Sequence, residues 1–242
     1  MNEFLSEWYG LLLFILFDIV AAVAVIALTY RLFFKRLLDI LSSAVCLLVT
    51  APAFLTVLIV GKRYQTKKNV SFPFIKKASY IGKKGREIDL LTFRTRGENG
   101  ELLGGYGCWL ARTKLYTLPR LFDVFLGRLS FIGGKPFTYG ESFFLSDEEK
   151  ERFLVRSGLI NPLVLSGDEN TDYDEMLKSD LSYANGVSLF KDIKILWSWF
   201  LRLFREGERN YFGKTKDRGF LDYLYAEGKI TKEEFDEAVS AI

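Results

Sequence analysis

Hydrophobic positions crowd the first 60 residues of the chain and become sparser afterwards. The run from Leu11 to Leu28 is long enough to cross a bilayer core of about 30 Å at a helical rise of about 1.5 Å per residue. Glu3 and Glu7 precede it, which differs from the positively charged start of a secretory signal. The pattern therefore predicts an N-terminal transmembrane helix within residues 1–31.

A second apolar run, from Leu37 to Val60, lies between basic clusters at residues 31–36 and 62–68. The positive-inside tendency places both clusters on the cytoplasmic face, so the chain between them must turn within the membrane. Pro52 supplies a break because it removes one helical donor and clashes with the preceding turn. We predict a re-entrant helix–break–helix over residues 32–61, with an ordinary second crossing as the alternative.

Asp18 is an acid in the middle of the first apolar run, where a charge costs a few kcal/mol even on the lenient insertion scale. Alanines nearby would allow another helix to pack closely. Asp18 could pair with a partner or with a basic group on the re-entrant segment. A protonated carboxyl that faces protein explains it equally well.

From residue 62 to residue 206 the pattern predicts a small α/β-type domain associated with the membrane. Its expected elements are a strand at Leu90–Thr95, a flexible loop at Gly104–Gly107, helical spacing from Ala111 to Leu126 with Pro119 as a kink or a start, a helix from the Ser146–Glu149 capping box to Ser157, and a polar loop over residues 161–175.

The segment from Val187 to Glu206 has a broad apolar and aromatic face with basic residues interspersed. This composition favours an amphipathic helix in the membrane interface with Trp197 and Trp199 at headgroup level, although a buried core helix is the alternative. The tail, residues 207–242, reads as two short helices split by Gly228, the second with a Thr231–Glu234 capping box. It is either a small interaction appendage or a solvated terminus.

Composition removes several classes of chemistry. The net charge of +3 argues against a dedicated nucleic-acid binder. The absence of His excludes Ser–His or Cys–His pairs and His-ligated zinc. Cys46 and Cys108 lack metal-ligand spacing and read as inert thiols. Any reaction must rest on carboxylates, Lys, Arg, hydroxyls or a bound metal.

Several motifs then agree in order and spacing with one family over roughly residues 33–200. They are Lys35-Arg36-Leu37-Leu38-Asp39 at the start of the Pro-containing apolar run, Thr92-Phe93-Arg94-Thr95, the segment LYTLPRLFDVFLG from Leu115 to Gly127, Ser130-Phe131-Ile132-Gly133-Gly134-Lys135-Pro136, and the spaced set Asp180, Tyr183, Ser188 and Asp192. Together they resemble the bacterial sugar transferases, the monotopic polyprenyl-phosphate phosphoglycosyl transferases.

The resemblance implies a re-entrant helix beneath a small catalytic domain with interfacial helices. It also implies transfer of a sugar phosphate from a UDP-sugar to polyprenyl phosphate, through a covalent aspartyl intermediate and with magnesium. The family's nucleophile belongs to an adjacent Asp-Glu pair, and those two positions are Tyr116 and Thr117 here. A phenol has a reference pKa of about 10 and an aliphatic hydroxyl a far higher one, so neither is a ready anion at neutral pH.

The next acid along the motif is Asp123, about two helical turns, or about 10 Å, from Tyr116. We therefore predict no catalytic residue, no cofactor (magnesium only if the chain is active) and a catalytically silent partner or scaffold at the bacterial inner membrane, with its globular part in the cytoplasm. Expected partners are membrane lipid, polyprenyl phosphate, or an active paralogue in a homo- or heterodimer, and not nucleic acid.

Two other hypotheses stay open. One is a divergent active transferase that uses a relocated acid at Asp123, Asp168 or Asp180; the other is a membrane anchor of unrelated function. Independently of these, Arg94, Arg112 and Lys135 fall at or near the family's anion-handling positions, so we expect residual phosphate binding there. Ordinary solvated charges are the alternative.

Overall fold

The computed structural model describes residues 8–97, 101–165, 172–205 and 219–240. The protein is mostly helical, with two small two-stranded sheets. The α-helices are α1 Trp8–Thr29, α2 Lys35–Lys68, α3 Gly104–Thr113, α4 Arg120–Leu126, α5 Tyr139–Ser142, α6 Asp147–Lys150, α7 Tyr173–Asn185, α8 Leu189–Arg205, α9 Phe220–Ala226 and α10 Lys232–Ser240; the strands are β1 Ile75–Ile81, β2 Glu87–Phe93, β3 Ser130–Ile132 and β4 Gly158–Ile160.

The first two helices, α1 and α2, are each long and apolar enough to cross a membrane. A single π-helical turn, Tyr30–Phe34, joins them without a loop. Asp18 is exposed on α1 and forms no ion pair with any residue that the structure describes. The pairing of Asp18 with a basic group of α2, which the sequence allowed, is therefore not observed.

The break predicted at Pro52 is not seen, because α2 is helical throughout Lys35–Lys68. Side-chain hydroxyls supply extra hydrogen bonds on both sides of the proline: Thr50 donates to the Cys46 carbonyl (2.7 Å) and Thr56 donates to the Pro52 carbonyl (2.9 Å). Hydrogen bonds of this kind satisfy backbone groups near a proline, so an apolar helix can continue through it. Whether the helix re-enters the membrane is a separate question that stays a prediction.

The two sheets are small and differ in type. Strands β1 and β2 form an antiparallel hairpin in which Ile75 pairs with Phe93 and Ile81 with Glu87. Strands β3 and β4 run parallel. The expected strand at Leu90–Thr95 is thus confirmed as the second half of β2, which ends two residues earlier at Phe93.

Two local expectations are wrong. The glycines of Gly104–Gly107 open α3 instead of forming a flexible loop, because α3 buries Tyr106 and Leu110 against the hairpin. The helical spacing from Ala111 to Leu126 is divided, because Lys114 adopts a left-handed conformation (φ 54°). A 3₁₀ turn, Leu115–Thr117, follows, and Pro119 then caps the start of α4.

The helix begun by the Ser146 capping box is shorter than predicted. The reciprocal hydrogen bonds between Ser146 and Glu149 are present, but α6 passes into a 3₁₀ turn, Glu151–Leu154, and Val155 is extended. The expected polar loop over 161–175 is in part regular, since Pro162–Leu165 is a 3₁₀ turn and α7 begins at Tyr173.

Helix α8 has one buried and one exposed face. Asp192 and Ile195 are buried, and Trp199 packs against the same interior cluster. The opposite face exposes large apolar side chains, namely Phe190, Ile193, Leu196, Trp197, Phe200 and Leu201. The amphipathic character is as predicted, whereas Trp199 lies on the inner side and not beside Trp197.

The C-terminal helices α9 and α10 are part of the core. Phe220 is 2% exposed and packs on the rings of Phe137 (5.0 Å between centroids) and Tyr173 (5.1 Å). Gly228 (φ 67°) turns the chain, and Thr231 and Glu234 form the expected capping box. The described part of the tail is therefore not a solvated terminus, because its apolar side completes the domain's largest hydrophobic cluster.

Candidate functional site

The positions that correspond to the family's acidic pair lie on the 3₁₀ turn between α3 and α4. The Tyr116 ring is half-buried and packs against the cluster that contains Val57, Phe93 and Leu110. The Thr117 hydroxyl donates a hydrogen bond to the Lys114 carbonyl (2.9 Å). Both side chains are held by local packing, and neither supplies a carboxylate.

Asp123, the nearest acid along the motif, is wholly buried. Its carboxylate accepts hydrogen bonds from the Leu91 N–H (2.8 Å) and from Arg128 (3.0 Å), so it ties α4 to the hairpin. Burial raises the pKa of Asp123, and the bonds from Leu91 and Arg128 oppose that rise. Both oxygens of Asp123 therefore accept hydrogen bonds within the fold, and its carboxylate has a structural role.

Asp180 is equally enclosed. Its carboxylate accepts a hydrogen bond from Arg152, which is 4% exposed, and a longer one from the Lys135 N–H (3.3 Å). Burial raises the pKa of Asp180, and the Arg152 charge opposes it. The pair joins α7 to the 3₁₀ turn after α6. Asp168 lies outside the described residues.

Magnesium, which the resemblance implies for an active member, finds no suitable donors at the turn. Mg²⁺ is usually held by one or two carboxylates together with substrate phosphates. Tyr116 offers a half-buried phenol, and the Thr117 hydroxyl is engaged by a backbone carbonyl. The residues present at these two positions do not fit the ion.

Lys135 is the counterpart of the family's motif arginine, and its ammonium is directed inward. The Nζ donates to the Tyr173 hydroxyl (2.8 Å) and lies 4.7 Å from the centroid of that ring and 5.8 Å from that of Phe137. Burial lowers the pKa of Lys135. Because Phe220 packs on both rings, the ammonium lies beneath the C-terminal hairpin α9–α10.

The other two predicted anion-binding residues are placed elsewhere in the domain. Arg94 follows β2, its N–H donates to the Phe74 carbonyl (2.7 Å), and its Nε is buried with no hydrogen-bond partner among the described residues. Arg112 is exposed in the last turn of α3. No hydrogen bond within the described chain joins Arg94, Arg112 and Lys135, and phosphate binding by them stays a prediction.

Gly134, where the family motif has Pro, is a point of close approach. A Cβ there would lie 2.7 Å from the Asp180 carboxylate and 2.8 Å from the Arg152 guanidinium. The absence of a side chain at Gly134 therefore lets this buried ion pair form against the backbone.

The most connected polar group of the site is the Asp192 carboxylate in the first turn of α8. It accepts hydrogen bonds from Tyr30 (2.6 Å), Lys35 (2.8 Å) and Tyr183 (2.6 Å). Burial, together with the Asp192 charge, raises the pKa of Tyr183 well above its usual range. This network joins the π-helical turn, α2, α7 and α8.

Two further residues of the first motif attach α2 to the domain. The Asp39 carboxylate accepts from the Ser130 hydroxyl (3.0 Å) and the Phe131 N–H (2.9 Å). Arg36 donates to the carbonyls of Val124 and Phe125 (2.6 Å each), which lie at the C-terminal end of α4. Lys35, Arg36 and Asp39, assigned to the membrane from sequence, are thus anchors between a membrane-type helix and the domain.

Sequence reasoning missed Tyr30 as a member of the Asp192 network and did not foresee that Lys35 reaches it. A signal was present in the sequence. Tyr30 precedes Lys35 by five residues, and both stand at the polar boundary between two apolar runs, while Tyr183 and Asp192 were already noted as a spaced pair. Their convergence depends on long-range packing that spacing alone does not reveal.

The family model described as Bacterial sugar transferase matches residues 30–206. These residues include the anchors of α2, the turn with Tyr116, and the Asp192 network. The chain belongs to the bacterial sugar transferase family.

The chain is distantly similar to several proteins whose names describe sugar transfer or exopolysaccharide production. Galactosyl transferase CpsE of Streptococcus agalactiae is 33% identical over 91 residues, 37% of this chain and 20% of that relative. Undecaprenyl-phosphate galactose phosphotransferase of Salmonella typhimurium is 24% identical over 192 residues, 68% of this chain and 39% of the relative. Exopolysaccharide production protein ExoY of Rhizobium meliloti is 25% identical over 190 residues, which are 67% of this chain and 82% of that relative. The chain spans less than half the length of the first two.

Proposed function

We propose that this chain is a catalytically silent bacterial sugar transferase that acts as a membrane partner or scaffold of an active sugar-phosphate transferase. The observation that carries the proposal is the state of the acidic-pair positions. A half-buried phenol and a hydroxyl bonded to a backbone carbonyl stand where the family's chemistry needs an anionic nucleophile beside a metal.

The scaffold around these positions is retained. The Asp192 network, the Asp39 anchor and the Arg36 cap of α4 all connect α2 to the domain. A domain that keeps these contacts but lacks the nucleophile supports a role in binding other components and not in catalysing the transfer. The relatives named for undecaprenyl phosphate and for exopolysaccharide production suggest the kind of pathway in which such a partner would work.

The rival hypothesis, an active transferase with a relocated acid, has little support in the described residues. Asp123 and Asp180 are each buried and bonded to a basic residue, so neither is free to attack a phosphoryl group. Recruiting Asp123 would break its hydrogen bonds to Leu91 and Arg128, and recruiting Asp180 would leave the buried Arg152 without its carboxylate, which is costly.

For its place in the cell we propose the inner membrane, with the domain on the cytoplasmic side. Both halves of α2 hold to the same domain. Arg36 and Asp39 bond to α4 and β3, while Val57 in the second half is fully buried among residues of the hairpin and α3. This supports a re-entrant path, since a helix that touches one domain in both of its halves does not carry its second half to the opposite face of a bilayer.

The test is release of UMP by the purified full chain in detergent, with a UDP-sugar, undecaprenyl phosphate and magnesium. An active relative that carries the acidic pair is the positive control. We expect no release above background from this chain alone. Magnesium-dependent release by the unmodified, homogeneous protein would show that the silent assignment is wrong.

The partner role needs a second measurement. A dyad-bearing transferase from the same cell is assayed alone and co-reconstituted with this chain at equal molar ratio. We expect a change in its turnover or co-purification of the two proteins. Unchanged turnover together with separate elution would contradict the partner role without affecting the silent assignment.

A further inference from the structure

The C-terminal end of α2 carries four cations on one short stretch of helix. They are Lys62, Arg63, Lys67 and Lys68, and we call them the basic end of α2. At a rise of about 1.5 Å per residue, their Cα atoms span about 9 Å along the helix axis. Because all four stand on a single helix, their proximity follows from the geometry of that helix.

No acid balances the basic end of α2. All four side chains are exposed, and among the residues that the structure describes none of them forms an ion pair with a carboxylate. The chain has no Asp or Glu between Asp39 and Glu87, a stretch that holds nine Lys and Arg residues. Arg63 and Lys67 are four residues apart on the helix, a spacing at which like charges repel. The basic end of α2 therefore favours an anion beside it.

The exposed face of α2 shows where apolar surface gives way to charge. Leu48, Leu55 and Ile59 follow one another at helical spacing and are 78%, 61% and 55% exposed. Lys62 continues this face three residues, or about 5 Å, after Ile59. An exposed apolar face that ends in cations is typical of a helix that leaves the hydrocarbon core at the level of lipid headgroups.

The opposite face of the same helix is fixed to the domain. Its buried positions recur every four residues, at Val57, Gly61 and Gln65. The Gln65 side chain donates a hydrogen bond to the Phe72 carbonyl (2.6 Å), which ties the helix to the segment before β1. Because one face is packed in this way, the helix cannot rotate about its axis. The cations that follow Ile59 therefore stay on the outward face.

We propose that the basic end of α2 binds anionic phospholipid headgroups, with the phosphate beside Lys62 and Arg63 and the first acyl carbons against Ile59. Ammonium and guanidinium groups both donate charge-assisted hydrogen bonds to phosphate oxygens, and juxtamembrane cations attract anionic lipids. The surface includes no residue of the Leu115–Thr117 turn. A negative UMP assay and a negative lipid assay are therefore independent results.

The experiment measures the local lipid preference of the full chain in reconstituted bilayers. A fluorophore on Ile59→Cys, in a background without Cys46 and Cys108, is quenched by brominated phosphatidylglycerol or by brominated phosphatidylcholine. We expect phosphatidylglycerol to be preferred about fivefold or more, since one basic residue near an anionic surface contributes about that factor. The same label on Leu12→Cys, at an exposed position of α1 that lies far from any basic residue in sequence, should show no preference.

Charge removal tests which cations are responsible. The double variant Lys62→Gln/Arg63→Gln should lower the preference at position 59 by about fivefold or more. Lys178→Gln/Lys232→Gln is the matched control, because it removes two exposed lysines from α7 and α10, and it should leave the preference unchanged. In the unmodified chain, raising the NaCl concentration about tenfold should weaken the preference, since salt screens exposed charges.

Equal quenching by the two lipids at position 59 would overturn the proposal. Equal losses in the two double variants, or a preference that salt leaves unchanged, would do the same. Loss of the preference in millimolar glycerol phosphate at constant ionic strength would identify a soluble phosphate as the ligand and would also overturn it. The salt and glycerol phosphate titrations use the charges of the unmodified chain, so they decide the question even where a double variant fails to fold.

Discussion

The Lys35 ammonium lies 2.8 Å from the Asp192 carboxylate, across 157 residues of sequence. This contact joins the first turn of a membrane-type helix to the first turn of the amphipathic helix α8. Both partners are largely enclosed, with 14% and 6% of their side chains exposed. The orientation of the domain relative to α2 therefore depends on a bond that solvent screens only weakly.

Replacing Lys35 with Met should lower the free energy of unfolding by about 3 kcal/mol, because the enclosed Asp192 carboxylate would lose its paired cation. Thermal unfolding of the detergent-solubilised protein measures this change. Lys62→Met, which removes a similar charge from an exposed position of α2, serves as the control. Equal melting temperatures for the two variants would contradict the structural role of the pair.

Gly134→Ala should destabilise the protein by about 2 kcal/mol, since the new Cβ must separate Arg152 from Asp180 in a packed interior. Gly105→Ala is the matched control. A Cβ at Gly105 meets nothing within 4 Å, and the residue lies in α3. There alanine should stabilise the helix by up to about 1 kcal/mol. Chemical denaturation should show that the free energy of unfolding falls in Gly134→Ala and does not fall in Gly105→Ala. If it fell in both variants alike, the close approach at Gly134 would not be the cause.

Phe220→Ala should cost about 3–5 kcal/mol, as expected when a buried phenylalanine is truncated. It should also make the Lys135 ammonium more accessible. Phe220 packs on the rings of Phe137 and Tyr173, and these two rings contact that ammonium. Acylation of Lys135 by an amine-reactive reagent, located by mass spectrometry, measures the accessibility. Phe143→Ala, at a position that is 58% exposed, controls for the loss of a ring.

Trp197 and Trp199 should differ in their contact with lipid. Trp197 is 60% exposed on the apolar face of α8, whereas Trp199 packs against the interior cluster. Single-tryptophan variants reconstituted with spin-labelled lipids test the interfacial placement. Quenching should be strong for Trp197 and weak for Trp199, and the reverse order would exclude an interfacial orientation of this face.

A re-entrant α2 predicts that Lys35 and Lys67 stand on the same side of the membrane. Cysteines introduced singly at the two positions, in a background without Cys46 and Cys108, should react alike with a membrane-impermeant reagent in intact cells. Labelling of only one of them would defeat the model.

The sequence indicated the elements that local chemistry determines. The capping boxes at Ser146 and Thr231, the start of α4 at Pro119 and the two faces of α8 were all readable from spacing. The sequence does not predict the first turn of α3, because Gly104 and Gly105 suggest a loop until Tyr106 is known to pack on Tyr64 and Phe72. Tertiary contacts outweighed local propensity there.

The candidate site was only partly predictable for the same reason. Motif order located Tyr116 and Thr117, and with them the loss of the acidic pair. The burial of Lys135 beneath α9 and the meeting of Tyr30 with Asp192 depend on segments far apart in the chain. No period or motif encodes such contacts.

The hairpin α9–α10 lies beyond the matched family region, yet it completes the largest apolar cluster of the domain. Synthesis runs from the N-terminus, so α1 and α2 are already made and available to the membrane while Phe220 and Leu224 are still untranslated. The cluster around Phe137 and Tyr173 consequently stays open until the hairpin emerges. Helices α1 and α2 are thus synthesised before the residues that close this cluster, so closure of the domain is the last of these steps to become possible.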